Sequence, residues 1–326
     1  MEPRPGAQTT WIRARRPVVD RPRDVSRPHA FLVEDERDEQ GVLQPTLVVF
    51  LVNRECPWTC LECDLWKYTT TTRIPAGAIP DQIRFAQEAT RAAGPARQIK
   101  LYNSGSFFDV GAIPPADDPE VARLVSRYDR VIVESHPALV GDRCWRFARS
   151  LGPRLEVAMG LETVYEPSMR RLNKRMTLGL YAEAAGLLRA HGVDLRSFLL
   201  IQPPFMPAEE VVTQTRLGVR FALEQGATVV SLIPTRVGNG ALESLEMGEP
   251  FRMPQVGLIE EAFDAALDEA SGRARVFLDT WDWGRFSNCP ACMEARERRV
   301  KRMNAEQTWL PRVDCGCLSP ERTGSS

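Results

Sequence analysis

The sequence predicts an α/β fold: six parallel strands in an open partial barrel, (βα)6 in plan, followed by a cysteine-rich C-terminal extension. Three observations carry this. Short apolar runs rich in β-branched residues recur between residues 45 and 235 with helical patterns between them. Six such runs are too few to close an eight-stranded barrel. The cysteines fall into two clusters, one directly after the first run and one near the C-terminus.

The first run, PTLVVFLVN (45–53), is too brief for a helix and apolar on both faces, as a strand buried in a parallel sheet reads. RQIKLYN (97–103), RVIVES (130–135), RLEVAMG (154–160), LRSFLLIQ (195–202) and TVVSLIP (228–234) repeat the pattern. The intervening segments carry helix punctuation. PDQIRFAQEATRAAG (80–94) opens on Pro80 and Asp81 and stops at Gly94. LGLYAEAAGLLRAHG (178–192) stripes Leu180, Ala184, Leu187, Leu188 and His191, which makes His191 a helix-end residue rather than a ligand. MPQVGLIEEAFDAALDEASG (253–272) sets Val256, Ile259, Phe263, Ala266 and Ala270 on one face, with Glu260, Glu261, Asp264 and Asp268 away from it. The expected division is a basic Pro/Arg-rich arm over 1–30, the barrel over 31–240 and the extension over 241–326.

At 326 residues and 43% hydrophobic content, the chain can bury a large core. LVVFLV (47–52) is far too short to cross a bilayer, and the N-terminal stretch has no apolar signal core, so a cytoplasmic protein without a membrane partner is expected. Residues 1–30 carry seven Arg against Glu2, Asp20 and Asp24, a net +4 that leaves −5 for the rest of a chain whose total is −1. Such an arm is a solvated tail or a tracker of phosphate backbones.

Eight cysteines without an export signal point to metal or redox chemistry rather than disulfides. Cys144, alone in GDRCWRFARSLG, reads as a small buried hydrophobe. Cys56, Cys60 and Cys63 form C-x3-C-x2-C at the mouth of the first strand. Three thiolates hold three irons of a 4Fe-4S cluster and leave the fourth iron open, whereas a structural zinc takes four ligands. Cys289, Cys292, Cys315 and Cys317 do supply four, closing either a zinc site or a second iron–sulfur cluster.

The triplet after the first strand resembles the radical S-adenosylmethionine (SAM) superfamily, whose fold is a partial (βα)6 barrel. That resemblance implies a 4Fe-4S cluster on Cys56, Cys60 and Cys63 whose open iron chelates SAM. It further implies an external one-electron donor such as flavodoxin or ferredoxin, and reductive cleavage of SAM to a 5'-deoxyadenosyl radical. By the same resemblance Asn103, Ser104, Gly105 and Ser106 of LYNSGSFFD (101–109) are the turn that contacts the SAM amino group; small residues there let main chain approach a ligand closely. VAMGLETVYEPSMRRLNK (157–174) is similar to a segment of the elongator-like branch, making Glu162 a SAM contact, or else a helix cap. Glu62 stands where the superfamily commonly has an aromatic residue, with Trp58 and Trp66 nearby.

NSGSFFD, VIVESHP, LRSFLLIQPPF and SLIPTRVGNGALESLEMGEPFRMP further resemble the branch holding the radical SAM subunit of archaeosine synthase, over roughly residues 28–318. This implies tRNA as a partner and C–N bond cleavage on a modified nucleoside. The basic arm and the +3 stretch CPACMEARERRVKRMN (289–304) are the candidate RNA surfaces, the latter equally a solvated helix face. A small-molecule or peptide substrate, methyl or sulfur transfer, and a non-enzymatic zinc-organised RNA-binding protein are the alternatives. His136, in a strand-end turn, is a substrate contact or a turn residue; His29 has no supporting constellation. Arg236 binds an oxyanion or is a loop arginine.

Overall fold

A computed structural model of the chain describes residues 5–22, 24–246, 251–287 and 289–318. Glu2, Arg4 and Arg23 of the arm, part of the 231–254 stretch and the last eight residues of the extension lie outside that set. The order is α1 (Pro5–Arg13), β1 (Ala30–Arg37), β2 (Leu43–Phe50), α2 (Ala78–Ala89), β3 (Gln98–Tyr102), α3 (Asp118–Val125), β4 (Arg130–Ser135), α4 (Asp142–Ser150) and β5 (Arg154–Glu162). Then follow α5 (Glu166–Arg171), α6 (Leu178–Ala190), β6 (Asp194–Ile201), α7 (Val211–Glu224), β7 (Ala227–Pro234), α8 (Ala241–Glu246), α9 (Val256–Ala270), β8 (Arg275–Leu278) and α10 (Pro290–Glu306).

All six expected strands are present as β2 to β7, parallel to one another. The sheet has two more, antiparallel β1 on one edge and parallel β8 on the other, in the order β1 to β8. Flat, β1 and β6 would stand about 24 Å apart at about 4.8 Å per strand. Yet Arg196 of β6 donates to both carboxylate oxygens of Glu36 on β1, at 3.1 and 2.5 Å. The sheet therefore curls into a partial barrel. Arg275 of β8 reaches the carbonyl of Arg37 on β1, at 2.9 Å, so the edges approach each other at the N-terminal end of the parallel strands.

The strands are not apolar on both faces. Leu47, Val49, Ile99, Leu101, Val131, Val133, Val157 and Leu195 face the helices and build the main core with them. The lumen is charged. Arg196 donates to Glu156 at 2.6 Å, Arg130 to Glu156 and Asp194 at 3.1 and 2.6 Å, and Lys100 pairs with Glu34 and Glu36, each at 2.6 Å. Burial alone would raise the Glu36 carboxyl, but Arg196 and Lys100 overcome it and hold it well below the usual carboxylate range.

The exposed edge of β8 is covered by the side-chain amides of Asn304 in α10 and of Gln307, which caps that helix. Asn304 accepts from Leu278 N and donates to Leu278 O, both at 2.8 Å, and Gln307 does the same for Val276, at 2.6 and 2.9 Å. Each amide takes the place of a neighbouring strand's peptide. Arg37 of β1 donates to Ala305 O at 2.7 Å, so the end of α10 bridges the gap between the two edges.

Two helical faces differ from expectation. On α6 the buried residues are Tyr181, Ala184, Ala185 and Leu188, while Leu187 is exposed; the stripe is rotated because Tyr181 reaches the hydroxyl of Ser197 on β6. On α9 the expected apolar face is buried, but so is Glu260, because Arg296 and Arg299 of α10 pair with it. Those two arginines are therefore neither a solvated face nor an RNA surface. Arg298, Lys301 and Arg302 are each paired within the helix or to its last residue.

Replacing Glu156 by alanine leaves Arg130 and Arg196 without their shared carboxylate in the lumen. Unfolding in urea at neutral pH is expected to show a loss of about 3–5 kcal/mol; a loss under about 1 kcal/mol would show that the network is not buried as described.

Candidate functional site

The loop after β2 carries Cys56, Cys60 and Cys63, all half-buried and none in a disulfide. Beyond Phe50 this backbone is largely irregular, so its polar groups need partners from elsewhere. Gln82 of α2, fully buried, accepts from Val52 N at 2.7 Å and donates to Val52 O at 2.8 Å. Asn173 donates to Thr59 O at 2.6 Å, Leu61 N to Leu172 O at 2.9 Å, and Asn239 to Leu61 O at 2.6 Å. Trp58 stacks on His136 with ring centroids 3.9 Å apart. A methyl group on Gly105 would lie 3.2 Å from Cys56 Cβ, tighter than ordinary packing allows, so glycine lets the turn after β3 lie against the cysteine loop.

These residues sit at the C-terminal ends of the parallel strands. Seven of the nine non-glycine residues with positive φ among the described residues, Ser104, Glu162, Asn173, Arg175, Gln202, Phe205 and Asp282, fall in the segments leaving those ends. Backbone strain concentrated at one end of a barrel marks a working surface. At its centre Lys174, missed in the sequence, pairs with Glu162. A side chain at Gly160 would collide with both partners, so glycine makes room for the pair. Burial alone would lower the Lys174 ammonium, but the Glu162 charge and hydrogen bond, with neighbouring Cys60 and Glu62, together hold it up.

Three more carboxyl and imidazole groups face this centre. Burial pushes Glu134, a second residue missed, up to about 7, although Asn103 N donates to it at 2.9 Å. Burial and then the Glu162 charge push Glu62 up to about 8, and its Oε2 has no hydrogen-bond partner. Burial and then Lys174 push His136 down to about 4; its Nδ1 accepts from Ala138 N and its Nε2 meets Lys174 O, both at 3.1 Å. Glu62 and His136 are marked in the sequence by their motifs, whereas Glu134 has no signal beyond its place at a strand end, because the contacts that shift it span long stretches of chain.

Of the expected cofactor residues, Asn103 is fully buried with neither side-chain amide atom hydrogen-bonded, and Ser104 has φ of 53°. Ser106 is turned to the Ser135 hydroxyl at 3.0 Å. Arg236 is committed to Asp279 and to Trp281 O, and His29 stacks on Tyr68. Cys144 lies in the helix–sheet core.

Burial pushes the Cys56 thiol up to about 11, and burial with the Glu62 charge raises Cys60 and Cys63 further. They become thiolates when a cation takes the place of their protons. Among the described residues they do not crowd around one ion-sized point as the C-terminal four do. The donor set, the glycine at Cys56 and the orphaned Asn103 amide fit a cluster with a polar ligand beside it.

The arm does not float. Ile12 of α1 is buried with Leu61, Leu242 and Phe251. Arg16 and Arg21 pair with Glu55 at 2.6 and 2.8 Å and lie over Trp66. A cleft of about 540 Å3 remains between arm and loop, lined by Arg13, Arg16, Arg21, Arg54, Cys56 and Trp66 among others.

No family model matches the chain. An uncharacterised protein of Methanocaldococcus jannaschii is 22% identical over 315 residues, covering 90% of this chain and 86% of the relative. Archaeosine synthase subunit beta of Methanosarcina acetivorans is 26% identical over 181 residues, spanning 53% of this chain and 52% of that subunit; that of Thermococcus kodakarensis is 25% identical over 202 residues, spanning 60% and 62%. The matched stretch is thus about half to three-fifths of the length of those subunits. The similarity to archaeosine synthase beta subunits expected from the sequence is present. Among solved structures, methylornithine synthase superposes with a TM-score of 0.49 at 13% identity, covering 69% of this chain and 61% of the other. Coproporphyrinogen III oxidase of Escherichia coli, described as a radical SAM enzyme, gives 0.46 at 13%, covering 73% and 57%.

The His136 ring is expected to stay neutral at pH 6, with its NMR titration midpoint near 4; a midpoint at or above its ordinary 6.5 would mean that the stack on Trp58 is open to water.

Proposed function

We propose that the chain is a radical SAM enzyme whose 4Fe-4S cluster is held by Cys56, Cys60 and Cys63, with tRNA as its substrate class. The observation that carries this is the accounting of the eight cysteines. Four gather at the C-terminus, Cys144 is sealed in the core, and three remain at the barrel mouth, with no fourth among them. When bound, the cluster and SAM would supply an electron and a 5'-deoxyadenosyl radical for hydrogen abstraction from substrate.

The chain's own residues position and shield. Asn103, Ser104 and Gly105 present an unpaired buried amide and close main chain beside Cys56, and would contact the amino acid end of SAM. Lys174 and Glu162 offer opposite charges for its carboxylate and amino groups. Glu134 and Glu62, whose carboxyls burial raises, line the same mouth, and Glu134 accepts from Asn103 N at 2.9 Å. Trp58 on His136 closes the loop from the side.

Substrate class rests on the cleft beside Cys56, where Arg13 and Arg54 join Arg16 and Arg21. Arg16 and Arg21 are held by Glu55, so the exposed Arg13 and Arg54 are the two guanidiniums at the rim that suit a phosphate backbone, and the relatives named archaeosine synthase subunit beta support an RNA nucleoside. C–N bond cleavage on such a nucleoside is the reaction favoured. An external flavodoxin or ferredoxin would deliver the electron.

Anaerobically reconstituted protein with dithionite and SAM is expected to form 5'-deoxyadenosine, and Cys60→Ala to form none. No product from protein with a full iron and sulfide content would overturn the proposal. For the substrate, Arg13→Ala with Arg54→Ala is expected to weaken tRNA binding in a gel shift about tenfold and to flatten its salt dependence by about two phosphate contacts. Unchanged binding would move the RNA surface elsewhere, and no binding by the parent protein at low salt would favour a small molecule.

A further inference from the structure

Cys289 directly precedes α10, Cys292 lies in its first turn, and Cys315 and Cys317 come from the segment that follows. The first pair thus sits at a helix N-terminus. All four sulfurs lie within 4.8 Å of one another, with Cys289 to Cys315 at 3.8 Å and Cys292 to Cys317 at 3.5 Å. A tetrahedral ion with metal–sulfur bonds of about 2.3 Å sets its sulfurs about 3.8 Å apart by geometry alone. A second four-iron cluster would put each thiolate on a different iron, with the inorganic core between them, and so demands wider spacing.

We propose that Cys289, Cys292, Cys315 and Cys317 hold a single tetrahedral zinc ion, and that this ion clasps the C-terminal segment to α10. Four thiolates on a divalent ion leave two negative charges, and the surroundings answer them. Arg296 donates through Nε to Cys292 Sγ at 3.2 Å, is 1% exposed, and ties the site to Glu260 of α9 and to Val313 O, the latter at 3.2 Å. The positive end of α10 points at the same thiolates. The other end of α10 covers β8 and reaches β1, so the ion fixes one end of the helix that seals the barrel. This site stands independently of the radical chemistry at the mouth.

The test uses the full chain with Cys56, Cys60 and Cys63 all replaced by alanine, produced with both iron and zinc present and purified without oxygen. One zinc per chain without iron or sulfide is expected, and Cys289→Ser with Cys315→Ser is expected to lose it. Iron with sulfide, iron without sulfide, or no metal even after zinc titration would overturn the proposal. Should the triple variant fail to fold, the unsubstituted protein reads the same point: about four irons with one zinc supports it, and about eight irons with no zinc overturns it. Chelation is expected to speed amide exchange over 308–318 at least tenfold while the sheet is unchanged; unaltered exchange there would overturn the clasp.

Discussion

A stretch of irregular backbone can be held at the mouth of a barrel only if its peptide groups find partners, and the cysteine loop finds them in three amides: Gln82, Asn173 and Asn239. These come from the helix after β2, the segment after α5 and the segment after β7. The spacing of the thiols is therefore a product of the assembled barrel. A short peptide with the same three cysteines would have none of these constraints, and its thiols would sample many separations.

The same logic explains the glycines and the charge at the mouth. Gly105 and Gly160 are needed where other groups occupy the space of a side chain, Cys56 in one case and the Glu162–Lys174 pair in the other. Below the mouth, the lumen is bound by Glu36, Glu156, Arg130 and Arg196 rather than by the branched apolar layers that usually fill a closed barrel. Opposite charges from distant strands can only meet if the curl is right, so the network acts as a register for the sheet. Removing one member costs far more than a surface pair would.

Much of this was legible in the sequence, and what was not has a physical reason. The six parallel strands were readable because their helix-facing positions are β-branched. The lumen residues Lys100, Arg130, Glu156 and Arg196 sat in the same runs, but nothing local tells whether a charged residue in a strand faces water or a partner five strands away. β1 escaped because Glu34, Asp35, Glu36 and Arg37 make it look like a loop, and β8 because it has only four residues. Glu260 was placed on the solvated face by its period; Arg296 and Arg299, from a later helix, reverse that. The cysteine triplet and the C-terminal four were readable from spacing. Lys174, Glu134 and Asn239 were not, since their roles depend on contacts with chain far away. The structure also leaves the expected cofactor residues in different situations: Asn103 has an amide to offer, whereas the Ser106 hydroxyl is turned to Ser135.

The account stands on one iron having no protein ligand. Electron paramagnetic resonance of the reduced cluster, recorded with and without SAM, addresses that iron directly. A signal that changes its g-values on addition of SAM, and does not change with 5'-deoxyadenosine, which lacks the amino acid end, is the expected result. A reduced cluster whose spectrum is indifferent to SAM at saturating concentration would contradict it.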